Sequence, residues 1–221
     1  VSAKQTEVIG GSVWEGLAHV MRSPYLLGIA LLMLMFTIVS TYLYFAQIAI
    51  VNEALGDDRA ARTQLFANRD LVVNAITLIV QMFLTGRILR WLGIGVSLAL
   101  LPIVSFVGFG MLAVAPVLLV VITFDVIRRA GNFAIQRPAR ESLYTVVSRT
   151  DKYKAKNFND TFVYRVGDQV GAWSYTAMAW FGMGLTGLAL TMLPVSLLWF
   201  FLALWLGRKY KDTYQEQTDS R

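Results

Sequence analysis

Long uncharged blocks separated by short polar stretches dominate the chain. No charge falls between Arg22 and Glu53, between Arg90 and Asp125, or between Asp168 and Arg208, gaps of 30, 34 and 39 residues. A bilayer core takes about 20 residues of helix, so each block can cross it. As unbroken helix the two longer blocks would run about 50–60 Å, against a core of about 30 Å. They must fold back, and each carries turn-forming residues near its middle, Ala115-Pro116 in one and Gly182-Met183-Gly184 in the other. Six transmembrane spans follow, at about 25–51, 70–90, 92–114, 117–137, 158–180 and 185–206. Residues 52–69 read as a polar loop containing the charged turn Gly56-Asp57-Asp58-Arg59.

The spans differ in polarity. Thr37, Ser40, Thr41, Tyr44 and Gln47 share one helical stripe of the first, and Asp125, Arg128, Arg129, Asn132 and Gln136 share one of the fourth. Asn74, Thr77 and Gln81 make a weaker stripe in the second. The fifth carries Tyr164, Arg165 and Asp168 with Gly167-x-x-x-Gly171, and the third and sixth have no charge in their interiors. The order polar, intermediate, apolar occurs twice. Two inverted three-helix repeats have this hydropathy, with the first helix of each lining a central cavity; chance similarity among six helices is the competing account.

Composition sharpens the class. Apolar residues make up 56% of the 221 positions and charged ones 15%, where a soluble domain carries about a quarter. Without cysteine there are no disulfides, thiolates or Cys-based zinc sites, and with one histidine, His19, a triad or metal constellation for a membrane enzyme is poorly supplied. No cofactor is expected. If the N-terminus is cytoplasmic, fourteen basic residues, among them Arg87, Arg90, Arg137, Arg140, Lys156 and Arg208, fall on the inner side, against Arg59, Arg62 and Arg69 outside. That bias puts both termini in the cytoplasm. It also accounts for the net charge of +6 without nucleic acid. Residues 1–24 read as a cytoplasmic linker with a short interfacial helix opened by the capping box Ser12-Val13-Trp14-Glu15, residues 25–206 as the transmembrane domain, and 207–221 as a cytoplasmic tail. No signal peptide is apparent, and the N-terminus reads as a linker inside a longer protein.

The stretch Arg137-Pro138-Ala139-Arg140-Glu141-Ser142-Leu143-Tyr144-Thr145-Val146-Val147, with Lys152-Tyr153-Lys154-Ala155-Lys156-Asn157-Phe158-Asn159-Asp160-Thr161 and Tyr164-Arg165-Val166-Gly167-Asp168, closely resembles the bacterial ATP/ADP translocase (nucleotide transporter) family of the major facilitator group. The resemblance covers about 40 residues strongly and the remainder in topology. Thr85-Gly86-Arg87-Ile88-Leu89-Arg90-Trp91-Leu92-Gly93 looks like a degenerate form of that group's cytoplasmic loop signature, without its acidic residue. The resemblance implies an all-α polytopic membrane protein, the C-terminal six-helix half of a twelve-helix transporter. A six-helix N-terminal half would be its partner, the bacterial inner membrane its location, and a small anionic solute, nucleotides first, its cargo.

Charges inside the spans are then the residues to explain. A charge near the bilayer centre costs several kcal/mol unless it faces a cavity, finds a partner or snorkels. In one reading Arg128, Arg129 and Arg165, with Asn132, Tyr44 and Gln47, line the cavity, and their guanidinium forks bind an anionic group. In the other, Asp125 pairs with Arg129 at i+4 and Arg165 with Asp168 at i+3. The two can coexist, and Arg128, lacking a carboxylate four residues away, is the strongest candidate for solute contact. Asp125 and Asp168 could instead couple transport to protons, though their arginine neighbours oppose protonation. The basic run 149–156 reads as topology anchoring and headgroup contact ahead of an electrostatic funnel. Pro138 fits a break where the fourth span ends, Gly167 and Gly171 fit close helix packing, and Trp173, Trp180, Trp199 and Trp205 fit span ends or lipid faces. Secondary transport by alternating access is the function these readings favour, ahead of proton-coupled transport of another solute and of a non-transporting scaffold or sensor half.

Overall fold

The computed structural model describes residues 20–21 and 23–219, so the capping box at Ser12 and the remainder of the expected linker helix lie outside the described residues. Among those described, the chain is helical with no strand. Helix α1, Pro24–Leu55, starts where the Ser23 side chain accepts from the Leu26 amide, with Pro24 in its first turn, and stops at Gly56, whose φ of 53° suits glycine. Asp58 caps α2, Arg59–Phe83, through the Ala61 amide at 2.9 Å. The expected polar loop at 52–69 is therefore helix on both sides of a three-residue turn. Polar composition marks where an apolar stretch ends, whereas the cap residues decide where the helix ends.

Helix α3, Thr85–Val114, bends at Gly93, where φ is 75°, so the chain turns at Leu84 and again at Gly93 and not once near residue 91. The turns at Ala115-Pro116 and Gly182-Met183 form where the sequence placed them. Between them α4, Leu118–Gly131, passes through a π-helical turn, Asn132–Gln136, into α5, Arg137–Leu143. Pro138 does not break the helix: it follows the wide π turn, which relaxes the clash with the preceding turn, and helix continues to Leu143. Helix α6, Arg149–Phe158, runs likewise through a π turn, Asn159–Val163, into α7, Tyr164–Trp180, and α8 extends from Leu185 to Asp219, straight through the expected tail.

Among the described residues four helices, α1, α2, α3 and α8, are long and apolar enough to cross a membrane. The other two expected spans are interrupted by the π turns, which leave α4 with 14 residues and α7 with 17, short of the roughly 20 that a span takes as uninterrupted α-helix.

Helix α1, apolar outside its one polar stripe, lies at the centre, against α7, α8 and α4; α4 also packs on α2 and α3, and the most extensive helix pair is α3 with α8. Ile29, Leu32 and Met33 of α1, Leu98 and Phe109 of α3, and Trp199 and Leu206 of α8 are fully buried in one apolar cluster. Trp199 is thus a core residue packed edge-on to Phe36 at 6.1 Å, not a lipid-facing one, while Trp173 and Trp180 are exposed. Gly167 and Gly171 do allow close packing. A Cβ on Gly167 would overlap Thr37, and one on Gly171 would sit 2.9 Å from the Thr41 Cβ and 3.3 Å from the Ile38 Cα.

A π turn displaces carbonyls from their usual partners. At Asn132–Gln136 two of them are taken up from outside: the Gln81 side-chain amide donates to the Phe133 carbonyl at 3.1 Å and the Thr85 hydroxyl to the Ala134 carbonyl at 2.7 Å. Thr85→Val keeps the shape and removes that buried donor. It is expected to cost about 1–3 kcal/mol, read as a lower thermal midpoint of the purified protein, and an unchanged midpoint would show that the π turn stands without Thr85.

Candidate functional site

The polar stripes of α1 and α4 face one another because each is the only hydrophilic strip on an otherwise apolar helix, and burying both against a shared opening avoids exposing either to hydrocarbon. They enclose a cavity of about 610 Å³. Helix α1 contributes Phe36, Ser40, Tyr44 and Gln47, at near-helical spacing, and α4 with its π turn contributes Asp125, Arg128, Arg129, Asn132 and Phe133. Helix α2 adds Phe66 and Arg69, and Tyr164 closes one side.

Most charges here are paired, but across helices. Asp70 of α2 accepts from Arg129 at 2.9 Å and from its neighbour Arg69 at 2.9 Å. Arg69 also reaches the Gln47 carbonyl oxygen at 3.2 Å and lies 3.4 Å from Asp125. The Asp125 contact neutralises charge without hydrogen-bond geometry, and that carboxylate oxygen has no hydrogen-bond donor among the described residues. The expected pair of Asp125 with Arg129 is not formed, because Arg69 and Asp70 enter between them from α2. Two arginines and two aspartates make an alternating chain that closes on itself in charge.

Arg128 stands outside that chain. It is buried, 4% exposed, with no carboxylate at ion-pair distance among the described residues. Its guanidinium donates to the Ser40 hydroxyl and, at 3.3 Å, to the Phe36 carbonyl, and lies 5.1 Å from the centre of the Phe36 ring. These contacts hold a cation in place without cancelling it. The Arg128 Nε, the Gln47 amide nitrogen and the Asn132 side-chain oxygen are buried and unpartnered among the described residues, a mixed donor and acceptor set around the same opening.

Of the residues expected at the site, Tyr44, Gln47, Asp125, Arg128, Arg129 and Asn132 line this cavity. Arg165 does not: it is exposed on α7 and reaches neither this opening nor Asp168. Asp168 instead accepts from the Thr41 hydroxyl at 3.2 Å, beside a shallower pocket of about 360 Å³ with Ser40 and Tyr44. Gln136, the end of the expected stripe, is buried between helices because the π turn adds a residue and rotates everything beyond Asn132. Arg69 and Asp70 are the site residues that sequence reasoning missed. Their signal was an adjacent charge pair at the lip of an apolar span, but a boundary drawn between them, with Arg69 in the loop and Asp70 opening the span, hid it.

Compared with known proteins, the chain matches no family model, no curated protein and no solved structure.

Proposed function

We propose that the chain is one half of a secondary transporter that carries a small anionic solute by alternating access. The observation that carries this reading is Arg128, a buried cation without a carboxylate partner, opening on a cavity that also presents Arg69 and Arg129. A protein with no anion to hold gains nothing from keeping such a charge away from water. Guanidinium forks suit phosphate and carboxylate, and the sequence resemblance at residues 137–168 makes nucleotides the first solutes to try.

Packing supports two three-helix repeats. Exchanging α1 with α4, α2 with α7, and α3 with α8 maps the larger helix contacts onto one another: α1 on α7 becomes α4 on α2, α1 on α8 becomes α4 on α3, and α3 on α8 is unchanged. In this reading the helical runs 118–143 and 149–180 cross the membrane despite their π turns, giving six spans of a major-facilitator type. Both termini are then cytoplasmic and the location a bacterial inner membrane. The apolar side chains that α2 presents outward, Leu71, Leu78, Met82 and Phe83, meet lipid or a second six-helix half.

The test is exchange in proteoliposomes of the full-length protein, loaded and challenged in turn with ATP, ADP, inorganic phosphate and a dicarboxylate, with a neutral sugar as control. Saturable uptake of one anion class, insensitive to a collapsed proton gradient, is the expected result. Uptake of none of the anions would overturn the proposal.

A further inference from the structure

Beyond the first cavity lies a second, of about 480 Å³, which the function just proposed does not use. The two share Phe36, Asn132, Phe133 and Tyr164 as a common waist. Its charged lining is Arg137, Arg140, Lys156, Glu141 and Asp160, three cations against two carboxylates. Both π turns build it. The first carries the polar stripe of α4 one residue further round, so that Arg137, Arg140 and Glu141, at i, i+3 and i+4, follow Asn132. The second sits between Lys156 and Tyr164, with Asp160 inside it.

The charges differ in how they are held. Lys156 donates to Glu141 at 2.7 Å with both side chains partly exposed, so that pair is internally neutral. Arg137 is exposed and lies 5.7 Å from the Phe133 ring centre. Arg140 is 8% exposed and makes no hydrogen bond or ion pair among the described residues, and its guanidinium nitrogens are not sealed, so its donors are open to the cavity it lines. Next to it Tyr144 is also buried. Burial pushes its hydroxyl up to about 12, so it remains a neutral group and cannot serve as a counter-ion.

We infer that this second cavity is a separate anion site, in which Arg140, assisted by Arg137, holds a phosphate-class oxyanion, either a free solute or a lipid headgroup. The inference does not depend on transport, since it concerns only what the cavity binds. The waist of Phe36, Phe133 and Tyr164 separates the two sites, so both can be filled together.

Calorimetric titration of inorganic pyrophosphate into the full-length protein in zwitterionic nanodiscs tests it. The wild type is expected to bind at two sites. Arg140→Gln should weaken one of them about 10- to 100-fold and leave the other, whereas Arg128→Gln should remove the other and leave this one. Glu141→Gln guards against mere loss of folding: it takes a carboxylate from the cavity wall and frees Lys156, and should tighten the second site about three- to fivefold, which structural damage cannot do. Repeating the titration in discs containing phosphatidylglycerol separates the sources. A fall to one site assigns the cavity to a lipid headgroup, and two sites retained assign it to a soluble phosphate. No wild-type site weakened by Arg140→Gln, or no tightening in Glu141→Gln, would each overturn the inference, whereas a single wild-type site that Arg140→Gln weakens and Arg128→Gln leaves upholds it and counts against the transport reading alone.

Discussion

Arg128→Gln is expected to lower anion exchange by about 100-fold while leaving the protein as stable as before, or more so. The side chain is 4% exposed and its three contacts, the Ser40 hydroxyl, the Phe36 carbonyl and the Phe36 ring, supply no negative charge. A charge-assisted hydrogen bond to a bound anion contributes about 1.5–3 kcal/mol, and guanidinium can make two at once. Losing both reaches the hundredfold range. Glutamine is too short to keep the contacts with Ser40 and the Phe36 carbonyl, but the Ser40 hydroxyl already donates to that carbonyl at 2.6 Å, and the cost of burying an unpaired cation ends, so the thermal midpoint should hold or rise. The opposite pattern, a falling midpoint with transport retained, would mean that Arg128 is structural and would remove the main support for an anion carrier. Arg128→Lys keeps the charge but not the fork and should fall between the two.

The contrast with its neighbours explains how much of this site was legible in the sequence. On α1 and α4 a polar residue stands against an apolar background, so the stripes carrying Ser40, Tyr44, Gln47, Asp125, Arg128 and Asn132 could be read from helical spacing alone, and the structure brings these residues to one cavity. Ion pairing could not be read the same way. Spacing shows only partners on the same helix, and here the partners of Arg129 and Asp125 arrive from α2 as Asp70 and Arg69. Rotation was equally invisible. Nothing in the residue pattern at Asn132–Gln136 announces a π turn, because what stabilises it includes the Gln81 and Thr85 side chains, some 50 residues earlier in the chain. The turns were legible where proline and glycine make them, at Ala115-Pro116 and Gly182-Met183, and misread at 52–69, where polarity was taken for loop although Asp58 caps a helix. Trp199 was misplaced for a related reason. An aromatic in an apolar span faces lipid or core according to which helix covers it, and it is Phe36 of the central α1 that covers this one.

The largest effect on folding is expected from Gly207→Ala in α8. The α3 and α8 backbones meet at Gly95 and Gly207, and a Cβ on Gly207 would be driven into the Gly95 backbone, while one on Gly95 would lie 2.9 Å from the Gly207 Cα. At Gly167 the obstacle is the Thr37 side chain, which can turn aside by changing rotamer; at Gly207 it is main chain, so relief requires the two helices to part. That pair is the most extensive contact in the molecule and holds Leu98, Ala203 and Leu206 fully buried, so the separation spreads along its length. Overpacking ordinarily costs about 1–3 kcal/mol, and a backbone obstacle belongs at the upper end, corresponding to a thermal midpoint lower by roughly 10 °C. Gly110→Ala is the matched control: it lies in the same α3 with nothing within 4 Å of the added methyl, and a helical glycine replaced by alanine there should be neutral or slightly stabilising. Equal midpoints for the two variants would show that α3 and α8 do not meet at Gly95 and Gly207. Since neither Gly95 nor Gly207 lines either of the two anion cavities, the Gly207 variant should retain anion affinity at temperatures where it remains folded, which separates this contact from the chemistry of Arg128.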